Sequence, residues 1–296
     1  MQSTGAILRR VPSILRLLSG LAICALATAA AGAAEPPRRI VSINLCTDQL
    51  AMALAEPSQI AALSHLSRIE GLSFHARQAK AFPAVRGTAE EVLKLAPDLV
   101  LAGAYSSAAT RTLLAAHGVR VETFAPVTTV EEARAEIVRA AALLGNPERG
   151  RRLAAEIERA LADAAPPPGR PLVALQLQRR GFASGRETLV ADLMHRLGIE
   201  NAADRLGITS VERVSLEVAL ETRPDLLILQ EDDRRAADQG AALLGHPALA
   251  ALVPPERRAF LPYSEITCAG PALPAAIATL GRELARIRAA LAATGR

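Results

Sequence analysis

Shifted against itself by 127 residues without a gap, the chain lays GTAEEVLKLAPDLVLA (87–102) on VSLEVALETRPDLLIL (214–229). Glu90 meets Glu217, Leu93 meets Leu220, and Pro97-Asp98-Leu99 meets Pro224-Asp225-Leu226, with the hydroxyl residues Thr88 and Ser215 also in register. Each copy reads as a short helix opened by a hydroxyl cap, closed ahead of a proline and followed by a buried strand. Matched leucines between Ala/Leu-rich helices arise by chance; a Glu, a Pro and an Asp in one register do not. The repeat therefore predicts two lobes of similar topology.

Strand-like aliphatic runs at 39–43, 60–63, 98–102, 119–124, 171–177, 225–229 and 258–261 alternate with helical periodicity at about 47–55, 88–95, 106–116, 130–144, 147–164, 187–197, 215–222 and 272–292. That alternation predicts an α/β fold with parallel sheets covered on both faces. Half the residues are hydrophobic, yet there are only five Phe, two Tyr and no Trp, so the core must be aliphatic, and disorder is excluded as the main state. Between the repeats, Gly145-Asn146-Pro147 separates two long helical patterns, and Pro166-Pro167-Pro168-Gly169 ends the second. Residues 147–164 form a helix of about 27 Å at 1.5 Å per residue, long enough to connect two lobes stiffly. The expected organisation is a leader (1–34), an N-terminal lobe (35–146), a connecting helix and linker (147–168) and a C-terminal lobe (169–296).

Residues 1–34 place Arg9, Arg10 and Arg16 ahead of an apolar run from Leu17 to Ala27 and a small-residue stretch before Glu35. This is the layout of a secretory signal peptide, cleaved near Ala33 or Ala34. Ile23 ahead of Cys24 argues against lipid attachment, and Val11-Pro12 weakens the twin-arginine hint of Arg9-Arg10. Removing this segment, which carries three Arg and no acid, takes the formal charge from +4 to +1. So small a charge offers no field for nucleic acid or an anionic membrane. No later run spans a bilayer, so the mature chain is expected to be soluble, with Cys46 and Cys268 in an oxidising compartment. Spacing leaves open whether those two pair, stay free or touch a ligand.

Five stretches together carry a family resemblance: RIVSINLCTDQLAMAL, EEVLKLAPDLVLAG, the connecting helix, FASGRETLVADLMHRLGIENAA and SLEVALETRPDLLIL. In order and spacing the chain resembles, over about 37–292, the helical-backbone (class III) periplasmic substrate-binding proteins of ABC importers for vitamin B12, iron siderophores and haem. The resemblance implies two Rossmann-like lobes with parallel sheets, facing each other across a shallow cleft and joined by one long helix, with little closure on binding. It also implies that Glu90 and Glu217 are docking residues, one per lobe, meeting arginines on a permease dimer. Their plainer role is to favour a helix dipole, but Thr88 and Glu91 fit a T-x-x-E capping box, which leaves Glu90 without a capping task.

In open parallel sheets ligands sit beyond the carboxyl ends of the strands. Those positions hold Asn44 and Cys46, His65, Tyr105, Arg179, Arg180 and Phe182, and finally Tyr263 and Cys268, which are the candidate ligand-binding residues. Both tyrosines of the chain are among them. Placed at opposing strand ends, Tyr105 and Tyr263 would hold a chelate or macrocycle from both sides by stacking or through phenol oxygen, the alternative being that each packs a loop of its own lobe. Arg179 or Arg180 would bind anionic oxygens, although neighbours on an extended chain point to opposite sides and at most one faces a ligand. His65 could ligate metal or haem, or simply be a surface residue.

No G-x-S-x-G elbow, phosphate loop, dinucleotide fingerprint or H-E-x-x-H frame occurs, so no catalytic residue and no cofactor are assigned. A receptor for bare Zn²⁺ or Mn²⁺ is the competing reading, drawing on His65, Glu231, Glu265, Cys46 and Cys268. The arginines rank a ferric siderophore first, with cobalamin and haem next. The expected product is a monomeric periplasmic receptor that delivers a metal chelate to an ABC permease dimer. Cys46 and Cys268 depart from the family pattern, and their pairing is open.

Overall fold

In each repeat a hydroxyl starts the helix and an aspartate ties the following strand to its neighbour. Thr88 accepts a hydrogen bond from the Glu91 N–H at the head of helix Ala89–Leu93, and Ser215 accepts one from the Val218 N–H at the head of Leu216–Glu221. Past the proline, the Asp98 N–H donates to the Arg39 carbonyl, and its carboxylate accepts from the Arg38 and Arg39 N–H groups. Asp225 does the same for the second sheet, donating to the Val173 carbonyl and accepting from the Val173 N–H and both terminal nitrogens of Arg170. The sequence repeat is thus a repeat of structure.

This computed structural model describes residues 35–235 and 238–293. The expected leader, 1–34, lies outside the described residues. From Pro36 on the chain is one compact unit. The first sheet has the order β3-β2-β1-β4-β5 and is parallel throughout: β1 Ile40–Ser42, β2 Ile60–Ser64, β3 Ala84–Val85, β4 Leu99–Gly103 and β5 Arg120–Phe124. After β6 (Leu172–Gln176), a two-stranded antiparallel ribbon pairs β7 (Phe182–Ser184) with β9 (Val211–Arg213). The second parallel sheet runs β11-β10-β6-β8, with β8 Ile199–Asn201, β10 Leu226–Gln230 and β11 Arg258–Leu261. Parallel neighbours require crossover connections, and helices supply them. The central strands β1 and β4 are buried along their whole length, as sheets covered on both faces must be.

All seven expected strands are present to within one residue. The additional strands β3, β7, β8 and β9 have only two or three residues, too short to show a period of two. The chain passes from the first sheet to the second through helices Val130–Leu143 and Pro147–Asp163. The second is no isolated strut. It packs against Val130–Leu143 on one side and against the C-terminal helix Leu273–Ala293 on the other. Gly150 permits the first contact, because a Cβ there would stand 2.5 Å from the Ala141 Cβ. One continuous core, including Leu54, Ile137, Ile157, Leu193 and Leu280, runs through both halves. Among the described residues no helix is long and apolar enough to cross a membrane.

Candidate functional site

Asn44 follows β1 and caps helix Leu45–Leu54, its side-chain oxygen accepting from the Cys46 N–H at 2.9 Å and the Thr47 N–H at 3.4 Å. The Asn44 amide lies close over the end of β4, where a Cβ on Gly103 would come within 2.6 Å of its nitrogen and push the Asn44 side chain aside. Beneath this corner Asp48 is fully buried, accepting from the Ser64 N–H at 3.0 Å and from the Ser64 hydroxyl. Burial pushes its carboxyl up to about 7, against the pull of hydrogen bonds from Ser42 and Ser64. The aspartate clips the head of this helix to the end of β2.

Above the corner lies a cavity of about 260 Å³, bounded by the ends of β1, β4 and β5 and, from the other half of the molecule, by residues 267–270. Cys46 and Cys268 are joined by a disulfide that links the two sides. The lining is mainly apolar, from Leu50, Phe124, Ala125, Pro126, Val127 and Ala269, with Asn44, Thr47, Tyr105, Thr267 and Glu136 as polar groups. Among the described residues Glu136 is the only carboxylate in that wall, and it is neutralised by Arg139 at 2.8 Å, whose guanidinium stacks 4.1 Å over the Phe124 ring. Tyr105 borders the cavity with 89% of its surface exposed.

Four of the nine candidate binding residues, Asn44, Cys46, Tyr105 and Cys268, come together here; the other five do not line it. His65 is exposed at the start of the turn His65–Arg68 after β2. The Arg179 guanidinium is held by Asp233 at 3.3 Å and Asp238 at 2.5 Å, the latter hydrogen bond contributing most to raising its pKa. Arg180 is exposed with φ at 60°, its N–H donating to the Gly240 carbonyl at 2.7 Å. Phe182 is half-buried at the start of β7. Tyr263 begins the helix Tyr263–Ile266, whose turn carries the chain on to the cavity wall, and is 37% exposed. The cavity therefore has one phenol rather than two.

Phe124, Pro126 and Val127 were accessible to the strand-end rule, which applies to β5 as it does to β1 and β4. Glu136 carried no such signal, because it enters sideways from the helix after β5. A larger groove of about 760 Å³ runs between helices Pro147–Asp163 and Leu273–Ala293, bordered by Arg159, Asp163, Arg282 and Arg288. Its lining comes from those two helices and residues 164–167 and includes no loop that follows the carboxyl end of a strand, so the smaller cavity is the better candidate. Among the described residues no three His, Cys, Asp or Glu side chains gather as metal ligands.

Glu90 and Glu217 stand exposed in the first turns of the two repeat helices. Glu90 pairs with Lys94 at 2.8 Å, and the Ser215 hydroxyl draws the Glu217 carboxyl below its ordinary range. The expected capping box at Thr88 is only half formed. Glu91 accepts from the Arg86 N–H at 2.8 Å rather than from the Thr88 N–H.

The profile of the family described as periplasmic binding protein matches residues 40–253. No curated protein matches in sequence. Among solved structures, the periplasmic heme-binding protein RhuT from Roseiflexus sp. RS-1, in apo form, is similar at 26% identity and a TM-score of 0.68, covering 84% of this chain and 98% of its own. The periplasmic heme-binding protein BhuT in complex with two hemes is similar at 25% identity with the same TM-score of 0.68 and the same coverage, 84% and 98%. The periplasmic vitamin B12 binding protein BtuF of Vibrio cholerae, at 18% identity and a TM-score of 0.64 over 86% and 98% of the two chains, shares the fold.

Proposed function

The chain belongs to the periplasmic binding protein family, and from that premise we propose that it captures a metal tetrapyrrole, haem first, and delivers it to the permease dimer of an ABC importer. The observation that carries the choice is Tyr105, an exposed phenol at the border of a mainly apolar cavity. A flat macrocycle can stack on its ring or meet its oxygen. The cavity, about 260 Å³, is below the usual range for a whole ligand of about 300–1,000 Å³. It takes an edge of the ring, and the remainder lies over the exposed tyrosine. Similarity to two proteins described as heme-binding supports the same reading.

A ferric siderophore drew its case from Arg179 and Arg180. Arg179 is engaged by two aspartates, Arg139 by Glu136, and the described residues lining the cavity include no arginine, so the arginines no longer rank a siderophore first. Bare Zn²⁺ or Mn²⁺ fares no better, since the two cysteines are bonded to each other. Delivery needs no chemistry by this chain: Glu90 and Glu217 orient it on a two-fold permease, and the importer's ATPases supply the energy. Residues 1–34 direct export to the periplasm and are removed, and the receptor acts as a monomer.

The test is an absorbance titration of the mature protein with haemin, cyanocobalamin and a ferric tris-catecholate in parallel. A saturable shift of the haemin Soret band is expected. Binding of the catecholate with no response to haemin would restore the siderophore reading.

A further inference from the structure

We propose that the Cys46–Cys268 disulfide is a covalent latch across the ligand cavity, so that cargo affinity and the integrity of this bond are coupled. The cysteines are 222 residues apart and both line the cavity, one on the first turn of helix Leu45–Leu54 and the other in the segment that forms the opposite wall. The polypeptide itself passes between the two sheets once, between β5 and β6. The disulfide is a second tie. Beside the core that both halves share, the bond fixes the wall at residues 267–270 to Cys46 for as long as it is intact.

Apart from the disulfide, that wall meets the first half through apolar packing, Ala269 lying against the shared core. Among the described residues its hydrogen bonds are local: Thr267 donates through both its N–H and its hydroxyl to the Tyr263 carbonyl, and the Gly270 N–H donates to the Cys268 carbonyl. A Cβ added to Gly270 would come no nearer than 3.7 Å to the Leu50 side chain across the cavity. Opening the bond therefore releases the segment to positions that no longer complete the site, and a ligand that needs both walls then binds a less populated state.

The chemistry is thiol–disulfide exchange with a dithiol reductant. Cys268 is 3% exposed, whereas Cys46 is half-buried in the cavity wall, so the incoming thiolate attacks the Cys46 Sγ. The S–S bond breaks, Cys268 leaves as a thiolate and takes a proton, and the second thiol of the reductant displaces Cys46 from the mixed disulfide. Two protein thiols and one oxidised reductant result, with two electrons transferred. Cargo in the cavity covers Cys46, so occupancy slows the attack just as the intact bond favours occupancy. The coupling to cargo rests on the proposed function placing the ligand in this cavity.

The experiment compares oxidised wild-type protein with Cys46→Ser/Cys268→Ser. Haemin and cyanocobalamin are each titrated, and the ligand that binds the oxidised protein is expected to bind the variant about tenfold more weakly, within the range of ordinary coupling energies. It is also expected to slow reduction of the wild-type bond by dithiothreitol. Hydrogen exchange, read without ligand, should show faster exchange at residues 267–270 in the variant. Equal affinities, or equal exchange rates, would overturn the latch. Should neither ligand bind the oxidised protein, the functional reading fails while the exchange rates still decide this one. If the serine variant does not fold, wild-type protein reduced by dithiothreitol and verified as folded by circular dichroism takes its place.

Discussion

Ala96 and Arg223, 127 residues apart, both stand immediately before a proline with the same left-handed backbone angle, φ 43°. Apart from Arg180 they are the only non-glycine residues with positive φ among those described. An L side chain in that region costs about 1–2 kcal/mol, and both lobes accept the cost at the same turn because the aspartate two residues on must reach the neighbouring strand. Ala96→Gly and Arg223→Gly are each expected to stabilise the protein by about 0.5–1 kcal/mol, the relief exceeding the added freedom of the unfolded chain. Urea denaturation measures it, and destabilisation by both would show that the angle is not what limits this turn.

The buried Asp48 sets a pH dependence. Its carboxyl, at about 7, lies above the 3.8 of an ordinary aspartate. Between those values the native state holds a proton that the unfolded state has released. Stability is therefore complete below about pH 4, falls as pH rises toward 7, and above that is lower by something on the order of 4 kcal/mol. Asp48→Asn keeps an acceptor for the Ser64 N–H and carries no charge, so its stability should stay level over that range and exceed wild type at pH 8. Parallel slopes for the two proteins from pH 5 to 8 would remove Asp48 as the cause.

Tyr105 borders the cavity and Tyr263 does not. Tyr105→Ala should weaken haemin binding about tenfold or more, the range of a lost aromatic anchor, while Tyr263→Ala stays within about twofold. Spectroscopic dissociation constants give the comparison, and the reverse order would move the ligand toward the second half.

Glu90 and Glu217 are exposed and lie outside the cavity lining. Glu90→Ala combined with Glu217→Ala is expected to abolish uptake in a reconstituted importer and to leave haemin affinity within a few-fold. Loss of affinity with uptake otherwise normal would assign them to the cargo.

How much was legible follows the range of the signal. The seven strands that lie in longer aliphatic runs and the repeat helices were placed by periodicity and by hydroxyl, proline and aspartate punctuation, all of which act within a few residues. Strands of two or three residues such as β3 and β8 leave no such pattern and exist only because a neighbour pairs with them. At the site, Asn44 and Tyr105 were found because the end of a parallel strand is a local landmark, whereas Glu136 reaches the cavity from a helix that the same landmark does not mark.

The duplicated order of strand and helix, the aliphatic core and the capping residues were determined by the sequence alone, since each depends on backbone preferences and spacing that a short window contains. Only the tertiary structure decided that Cys46 meets Cys268, that Arg179 spends its charge on Asp233 and Asp238, and that one tyrosine rather than two borders the cavity. Those outcomes are set by which distant segments pack side by side, and the local pattern of a chain holds no measure of that distance.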